Sequence, residues 1–412
     1  MSRATQPAAP YAPSFRHGFR PGADAPLLAE PAGMRAERML LIGATSRDAG
    51  KTEFASRVLR AAARSREVVG IKVTPVDPEV GGCPRGECGC GLCARLDAPF
   101  EIVEEDGRER GKDTVRLLES GARRVFWLRA RRPALAQGMA ALLDRIGPEA
   151  LCLCEGNSVR QVVEPGWFVM VRGPACVTEK PSARAALSLA DVVTSRTETG
   201  FSVSPEEFSP GPSSPWSLRL PATAVVLAGG LSRRMGRDKA LLELGGRSLI
   251  ERVAMTLSDN FAEVLLSVDR ADRFPSLPYS KVADAVPGQG PLRGVVSALR
   301  AASYPLVFFA TCDLENVPVF LVHRLLRAAR GHQGAVLLNT DGWPEPLFSV
   351  LHRDCLPHLE GGLERGERRL ARLFGALRLR YVPVPAQEPL LDLNTPEDYR
   401  RACERQPGRV LE

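Results

Sequence analysis

Two short stretches of this 412-residue chain carry residue types suited to holding a nucleoside triphosphate, and they are built differently. The first, "LLIGATSRDAGKTEF" at 41–55, ends in Gly50-Lys51-Thr52 at the head of an amphipathic run. In a strand, loop, helix arrangement Lys51 would reach the terminal phosphates and Thr52 would hold Mg2+. The backbone N–H groups of 48–52 would face phosphate from a helix N-terminus. The usual spelling of such a loop has glycine where Thr45 stands, and here the glycine is displaced to Gly43. A carboxylate after a later strand should orient water around the metal, and Glu155 in "ALCLCEGNS" supplies it. Cys152 and Cys154 alternate there with leucines, so both thiols face one side of a strand and read as core.

The second stretch, "AVVLAGGLSRRMGRDKALLEL" at 224–244, has Gly229 and Gly230 directly after a strand-like burst ending in Leu227 and Ala228. Without Cβ atoms in the way, main-chain N–H groups can lie against a base edge and phosphates. Arg233 or Arg234, with Lys239, would bring positive charge to those phosphates. A third stretch, "GGCPRGECGCGLCARL", gathers Cys83, Cys88, Cys90 and Cys93 among glycines. Four soft ligands in one loop suit Zn2+ or an iron-sulfur cluster, the alternative being an oxidisable cysteine-rich loop.

These residues need frames to hold them. In the front half "RMLLIGAT", "VVGIKVT", "RRVFWLRA", "ALCLCEG" and "WFVMVRG" read as strands, with "GKTEFASRVLRAAARS" and "QGMAALLDRIG" as helices. In the back half "TAVVLAGG", "EVLLSVD", "PLVFFATCD", "GAVLLNTD" and "LRYVPV" read as strands; "SLIERVAMTLS", "GVVSALRAA" and "PVFLVHRLLRAAR" read as helices. Strands alternating with helices predict two α/β domains, each with a mostly parallel sheet and ligands at the carboxyl ends of its strands. The expected boundaries are a disordered tail at 1–37, a front domain at 38–195, a Ser/Pro-rich linker at 196–221 and a back domain at 222–412.

Composition narrows the field. Apolar residues at 44% and charged residues at 25% suit a soluble protein with two cores, and no apolar run is long enough to cross a bilayer. The N-terminus lacks the layout of an export signal, so a cytoplasmic location is expected, with no membrane partner. The net charge of +7 favours anionic ligands, yet no interleaved basic and aromatic pattern of a nucleic-acid reader is present. Only six of the 55 basic residues are lysines, and Lys51, Lys112 and Lys239 all fall inside motifs. Ten cysteines in a cytoplasmic chain argue for metal, redox or core use over disulfides.

The string Leu227 to Lys239, L-A-G-G-x-S-x-R-M-G-x-D-K, resembles the signature of molybdenum cofactor guanylyltransferases. "DAVPGQGPLRGVVSAL" follows with Asp284, Gly290, Pro291, Leu292 and Gly294, which the resemblance places near guanine. "PLVFFATCDLENVP" puts Asp313 where the family has its Mg2+ ligand, "WPEPLFSVL" carries Glu345, Pro346 and Leu347, and "LLDLNTPEDYRRA" closes with Asp392, Asn394, Pro396 and Glu397. Thr311, Leu314 and Glu315 depart from the family's usual residues around Asp313. The front half resembles the small GTP-binding accessory proteins of molybdopterin-guanine dinucleotide biosynthesis. It does so through Gly111, Lys112, Asp113, Thr114, Arg116, Gly121 and Ala122, and through Glu155-Gly156.

The resemblances imply a P-loop NTPase-like domain fused to a Rossmann-like (GT-A-like) nucleotidyltransferase that moves GMP from GTP to molybdenum-bound molybdopterin. Arg234, Lys239 and Asp313 would act on the phosphates. Leu227, Ala228, Gly229, Gly230, Asp284, Gly290, Pro291, Leu292 and Asn394 would bind the substrate nucleotide, and Gly50, Lys51, Thr52 and Glu155 the front one. Mg2+ is the implied metal at Asp313 and Thr52, and molybdopterin-transferring and molybdoenzyme-maturation proteins are the implied partners. The alternatives are a cytidylyltransferase or another nucleotidyltransferase, and a metal-binding P-loop adaptor for cofactor delivery.

Overall fold

The apolar bursts become strands because alternation along each one feeds two cores at once. The computed structural model describes residues 33–46, 48–76, 96–108, 112–173, 181–211, 214–229, 238–284, 290–385 and 390–405. In the first strand Leu40 and Ile42 enter one buried cluster while Met39 and Leu41 enter another, on the opposite face.

The front sheet comprises β1 (Met34–Ala44), β2 (Val69–Val76), β3 (Phe100–Glu104), β4 (Arg124–Arg131), β5 (Cys152–Glu155), β6 (Val163–Arg172), β7 (Val192–Thr197) and β8 (Gly200–Phe201). Its spatial order is β3-β4-β2-β5-β1-β6-β7-β8, parallel throughout except for the antiparallel edge strands β3 and β8. Helices α1 (Lys51–Ala62), α2 (Asp113–Glu119), α3 (Leu135–Ile146) and α4 (Pro181–Leu187) accompany it.

The back half starts with β9 (Leu220–Leu227), then the short hairpin β10 (Glu243–Leu244) and β11 (Arg247–Ser248), then β12 (Phe261–Val268) and β13 (Ser280–Ala283). It continues through β14 (Leu306–Thr311), β15 (Gly334–Leu338), β16 (Pro344–His352) and β17 (Leu379–Pro383). The sheet order is β13-β12-β9-β14-β16-β15-β17, and only β16 runs against its neighbours. Helices α5 (Leu249–Ser258), α6 (Pro291–Ala301), α7 (Val319–Ala328), α8 (Leu356–Glu364) and α9 (Pro396–Glu404) complete it. Among the described residues no helix is long and apolar enough to cross a membrane.

Two expected boundaries move. Met34 to Ala36 already pair with Val163 to Pro165, so the described part of the stretch read as a tail belongs to β1. The stretch read as a linker is packed, not free. Phe208, Trp216 and Leu218 are buried in the front core, and Phe54 meets Phe201 and Phe208 edge-on at 5.0 and 5.9 Å. Trp216 donates its indole N–H to the carbonyls of Arg38 and Cys152, each at 3.2 Å. Single aromatics spaced by Ser and Pro make no period, so the pattern reads as linker while each ring finds its own socket.

The halves meet where α7 lies on β6 and on the residues just before β7. His323 is 2% exposed, its Nδ1 sits 3.0 Å from Gly166 O, and its ring lies 4.0 Å from that of Trp167. Because a carbonyl only accepts, Nδ1 carries the proton, and burial lowers this histidine's pKa and keeps it neutral. Arg327 pairs with Asp191, and Arg330 donates to the Ala190 and Asp191 carbonyls at 3.0 and 2.6 Å.

Candidate functional site

β9 runs out at Leu227, and backbone bonds gather the neighbouring strand ends around it. Ala228 N donates to Ser267 O at 2.8 Å, Cys312 N to Leu227 O at 3.2 Å, and Asp284 N to Val268 O at 3.0 Å. Between these ends lies a pocket of about 320 Å3, lined by Leu227, Ala228, Gly229, Lys239, Asp284 and Asp313, with Gly290 and Pro291 at the mouth of α6. One turn into that helix, a Cβ on Gly294 would come within 2.7 Å of Ser267 Oγ, so any larger residue there would force the Ser267 side chain to move. Leu292 points elsewhere: it is fully buried in the core shared with β14 and α8.

The closing motif reaches the pocket by running beside the loop after β14. Leu393 N donates to Asp313 O at 2.8 Å, and Glu315 N to Leu391 O at 2.9 Å. This brings the amide oxygen Asn394 Oδ1 to 2.9 Å from Lys239 Nζ, whose carboxylate neighbour, Asp313 Oδ2, is 3.3 Å away. Asp392 lies against them. Burial first, then the charges of Asp313 and Glu345, push its carboxyl up to about 8. Asp284 is also raised, by burial and then by Asp269, and its Oδ1 is buried without a partner among the described residues.

In the front half α1 begins at Lys51 behind Gly50, whose φ of 93° is left-handed and favours glycine. No side chain caps this helix among the described residues, which leaves its first-turn N–H groups facing outward. Glu155, fully buried at the end of β5, receives Thr52 Oγ1 at 3.3 Å and lies 3.7 Å from Lys51 Nζ. Lys72 Nζ sits 2.7 Å from Glu155 and 2.7 Å from Asp113. Thr45 is occupied with structure: its N–H bonds Val171 O at 3.0 Å and its Oγ1 accepts from Gly173 N at 2.9 Å. Cys152 and Cys154 are buried together, and burial pushes the Cys152 thiol up to about 12.

Gly111, Gly230, Arg233, Arg234 and the quartet Cys83, Cys88, Cys90 and Cys93 lie outside the described residues. Among the described residues no three His, Cys, Asp or Glu side chains converge as a ready metal site.

A family profile described as a MobA-like NTP transferase domain matches residues 224–381. The probable molybdenum cofactor guanylyltransferase of Pelotomaculum thermopropionicum is 33% identical over 190 residues, covering 44% of this chain and 92% of that protein. The molybdenum cofactor guanylyltransferase of Pseudomonas entomophila is 36% identical over 192 residues, covering 44% of this chain and 98% of its own. The chain belongs to the molybdenum cofactor guanylyltransferase family through its C-terminal half. A solved structure of molybdopterin-guanine dinucleotide biosynthesis protein A from Archaeoglobus fulgidus is 26% identical with a TM-score of 0.39, covering 44% of this chain and 97% of that one.

As a guanylyltransferase the chain is a nucleotidyltransferase, and its departures from the family pattern can be placed. Of the three, Thr311 lines the pocket, whereas Leu314 is buried in the core and Glu315, 4% exposed, accepts from Arg405 at 3.1 and 2.5 Å. Two residues of the sites were not singled out from sequence. Asp392 was read only as part of the closing motif, and its proximity to Asp313 depends on a pairing between distant segments. Lys72 sits inside "VVGIKVT", and the scarcity of lysine was the one signal pointing to it.

Proposed function

We propose that this guanylyltransferase transfers GMP from GTP to molybdenum-bound molybdopterin, releasing pyrophosphate, and that its front half is a fused P-loop accessory domain that binds GTP. The observation that carries the transferase reading is the meeting of Lys239, Asp313 and Asn394 at one rim of the 320 Å3 pocket. A terminal phosphate oxygen of the pterin attacks the α-phosphorus of GTP, the bond to the β-phosphate oxygen breaks, and pyrophosphate leaves with the electron pair. The reaction brings anions together, so positioning and charge suffice and no covalent nucleophile is required.

Each residue has a role set by where it sits. Lys239 neutralises phosphate charge, and Asn394 holds its ammonium at 2.9 Å so that it does not fold down onto Asp313 alone. Arg234 would add a second cation. The carboxylates of Asp313 and Asp392, forced together out of water, suit a divalent cation. Mg2+ there would supply charge neutralisation on the reacting phosphate and the leaving group. The buried Oδ1 of Asp284, without a partner among the described residues, supports guanine: a carboxylate oxygen accepts, and the Watson–Crick edge of guanine presents adjacent N–H donors.

The front reading is supported by Gly50, Lys51 and Thr52 at the start of α1, with Glu155 on the strand next to β1. Thr52 and Glu155 fit Mg2+ in their donor chemistry, since Glu155 Oε1 is buried with no partner among the described residues. GTP or CTP, each with molybdopterin, should be offered to the purified protein and pyrophosphate measured. Release with GTP alone is expected. Turnover with CTP would replace the guanine reading by the cytidylyl one, and no release with either would leave an adaptor.

A further inference from the structure

Neither the transfer reaction nor the phosphate cradle explains Lys72. The β2–β5 register sets Lys72 directly beside Glu155, so both side chains leave the same face of the sheet. Its ammonium bridges Glu155 Oε2 and Asp113 Oδ2, from two different elements, at 2.7 Å each. Thr52 Oγ1 and Lys51 Nζ approach that same Glu155 oxygen at 3.3 and 3.7 Å. Among the described residues two carboxylates and two ammonium groups thus meet with their charges in balance, with Glu155 fully buried and the Lys72 side chain 14% exposed.

We infer that Lys72 is a positioning residue of the front site, whose ammonium, together with that of Lys51, balances Asp113 and Glu155 before nucleotide binds, so that divalent metal is held there only when phosphate arrives with it. A divalent cation entering the neutral cluster alone would leave two uncompensated positive charges beside buried groups, which is costly. A triphosphate brings the missing negative charge and draws Lys51 toward itself, freeing one side of Glu155. Metal and nucleotide then enter as a unit. This rests on the phosphate-cradle reading of the front half.

Mn2+ binding tests it, counted by the loss of the free-ion paramagnetic signal, in full-length protein carrying Asp313→Asn to silence the back site. This parent should hold Mn2+ at least about tenfold more tightly with a non-hydrolysable GTP analogue than without it. Lys72→Gln should gain nucleotide-independent Mn2+ binding of about that size, since removing the ammonium leaves the cluster with one uncompensated negative charge. The gain should vanish again in Lys72→Gln/Glu155→Gln, and Lys72→Arg, which keeps the charge, should behave as the parent. A Lys72→Gln protein that melts like the parent and gains no Mn2+ overturns the inference.

The parent measurement needs no Lys72 variant: equal Mn2+ affinity with and without the analogue overturns the inference even if Lys72→Gln does not fold. Failure of the cradle reading looks different. A fluorescent GTP analogue would then show no binding component sensitive to Lys51→Ala, while the Mn2+ gain in Lys72→Gln would still report on the ammonium.

Discussion

Lys239 Nζ lies 2.9 Å from Asn394 Oδ1, across 155 residues of chain. The opening and closing motifs of the transferase half therefore meet at the pocket rim through a contact between a cation and an amide oxygen, and behind it through Leu244 packed with Leu393. Asn394→Ala would leave Lys239 with Asp313 as its remaining partner of the two, and the ammonium would be drawn off the phosphate path. Pyrophosphate release should fall roughly ten- to a hundredfold in kcat with a smaller change in KM for GTP, as expected for an interaction realised in the transition state. An unchanged kcat would make Asn394 a bystander.

Asp313→Asn keeps the shape of the rim and removes its charge. Transfer should drop by at least about a hundredfold, as befits lost charge stabilisation of phosphates, and excess Mg2+ should not restore it. A titration of pyrophosphate release against Mg2+ checks this; full activity at high Mg2+ would mean Asp313 contributes only affinity.

Glu206 ties the packed stretch after β8 to α1 through Arg57, with N···O distances of 2.7 and 3.0 Å. The Arg57 guanidinium is the main reason its carboxyl falls from an ordinary 4.5 to about 2. Between those values the unfolded chain binds the extra proton, so the pairing contributes fully above about pH 4.5, fades as pH falls and is gone below about 2. Thermal melts of Glu206→Gln should lie slightly below the native protein at pH 7 and converge with it near pH 2. The pair is half exposed, so the gap is small.

Trp216 is 1% exposed and fills a socket in the front core. Trp216→Ala should cost about 3–5 kcal/mol of stability, from lost burial and from the Arg38 and Cys152 carbonyls left without its N–H. Urea unfolding measures it. A loss below about 1 kcal/mol would mean the stretch is dispensable, as a true linker would be.

What the sequence made legible was local. The Gly50-Lys51-Thr52 turn, the burst ending at Leu227, and the strands leading to Glu155 and Asp313 each lie within a dozen residues of the pattern that announces them. What stayed hidden depends on long-range pairing. Asp392 reaches Asp313 because residues 391–393 run beside 313–315, and Lys72 reaches Glu155, 83 positions further along the chain, because β2 and β5 are neighbours. The seam between the halves was hidden for another reason. In "PVFLVHRLLRAAR" His323 and Arg327 look like the polar residues of a surface helix, yet they face β6 and Asp191.

The reversed direction of β16 also bears on how this pocket could change over time. Parallel strands deliver their rim residues through crossover helices, and altering one disturbs a whole layer of core. β16 instead arrives from the tight bend at 339–343, where Asn339 accepts from Asp341 N at 3.1 Å and from Trp343 N at 2.9 Å. Its first residues, with Leu347 among them, reach the wall beside Thr311 by the shortest route in the sheet. That wall can be lengthened or reshaped by substitution in one bend while the segments carrying Lys239 and Asp313 stay as they are, which makes it the natural place for related enzymes to come to differ in what they accept.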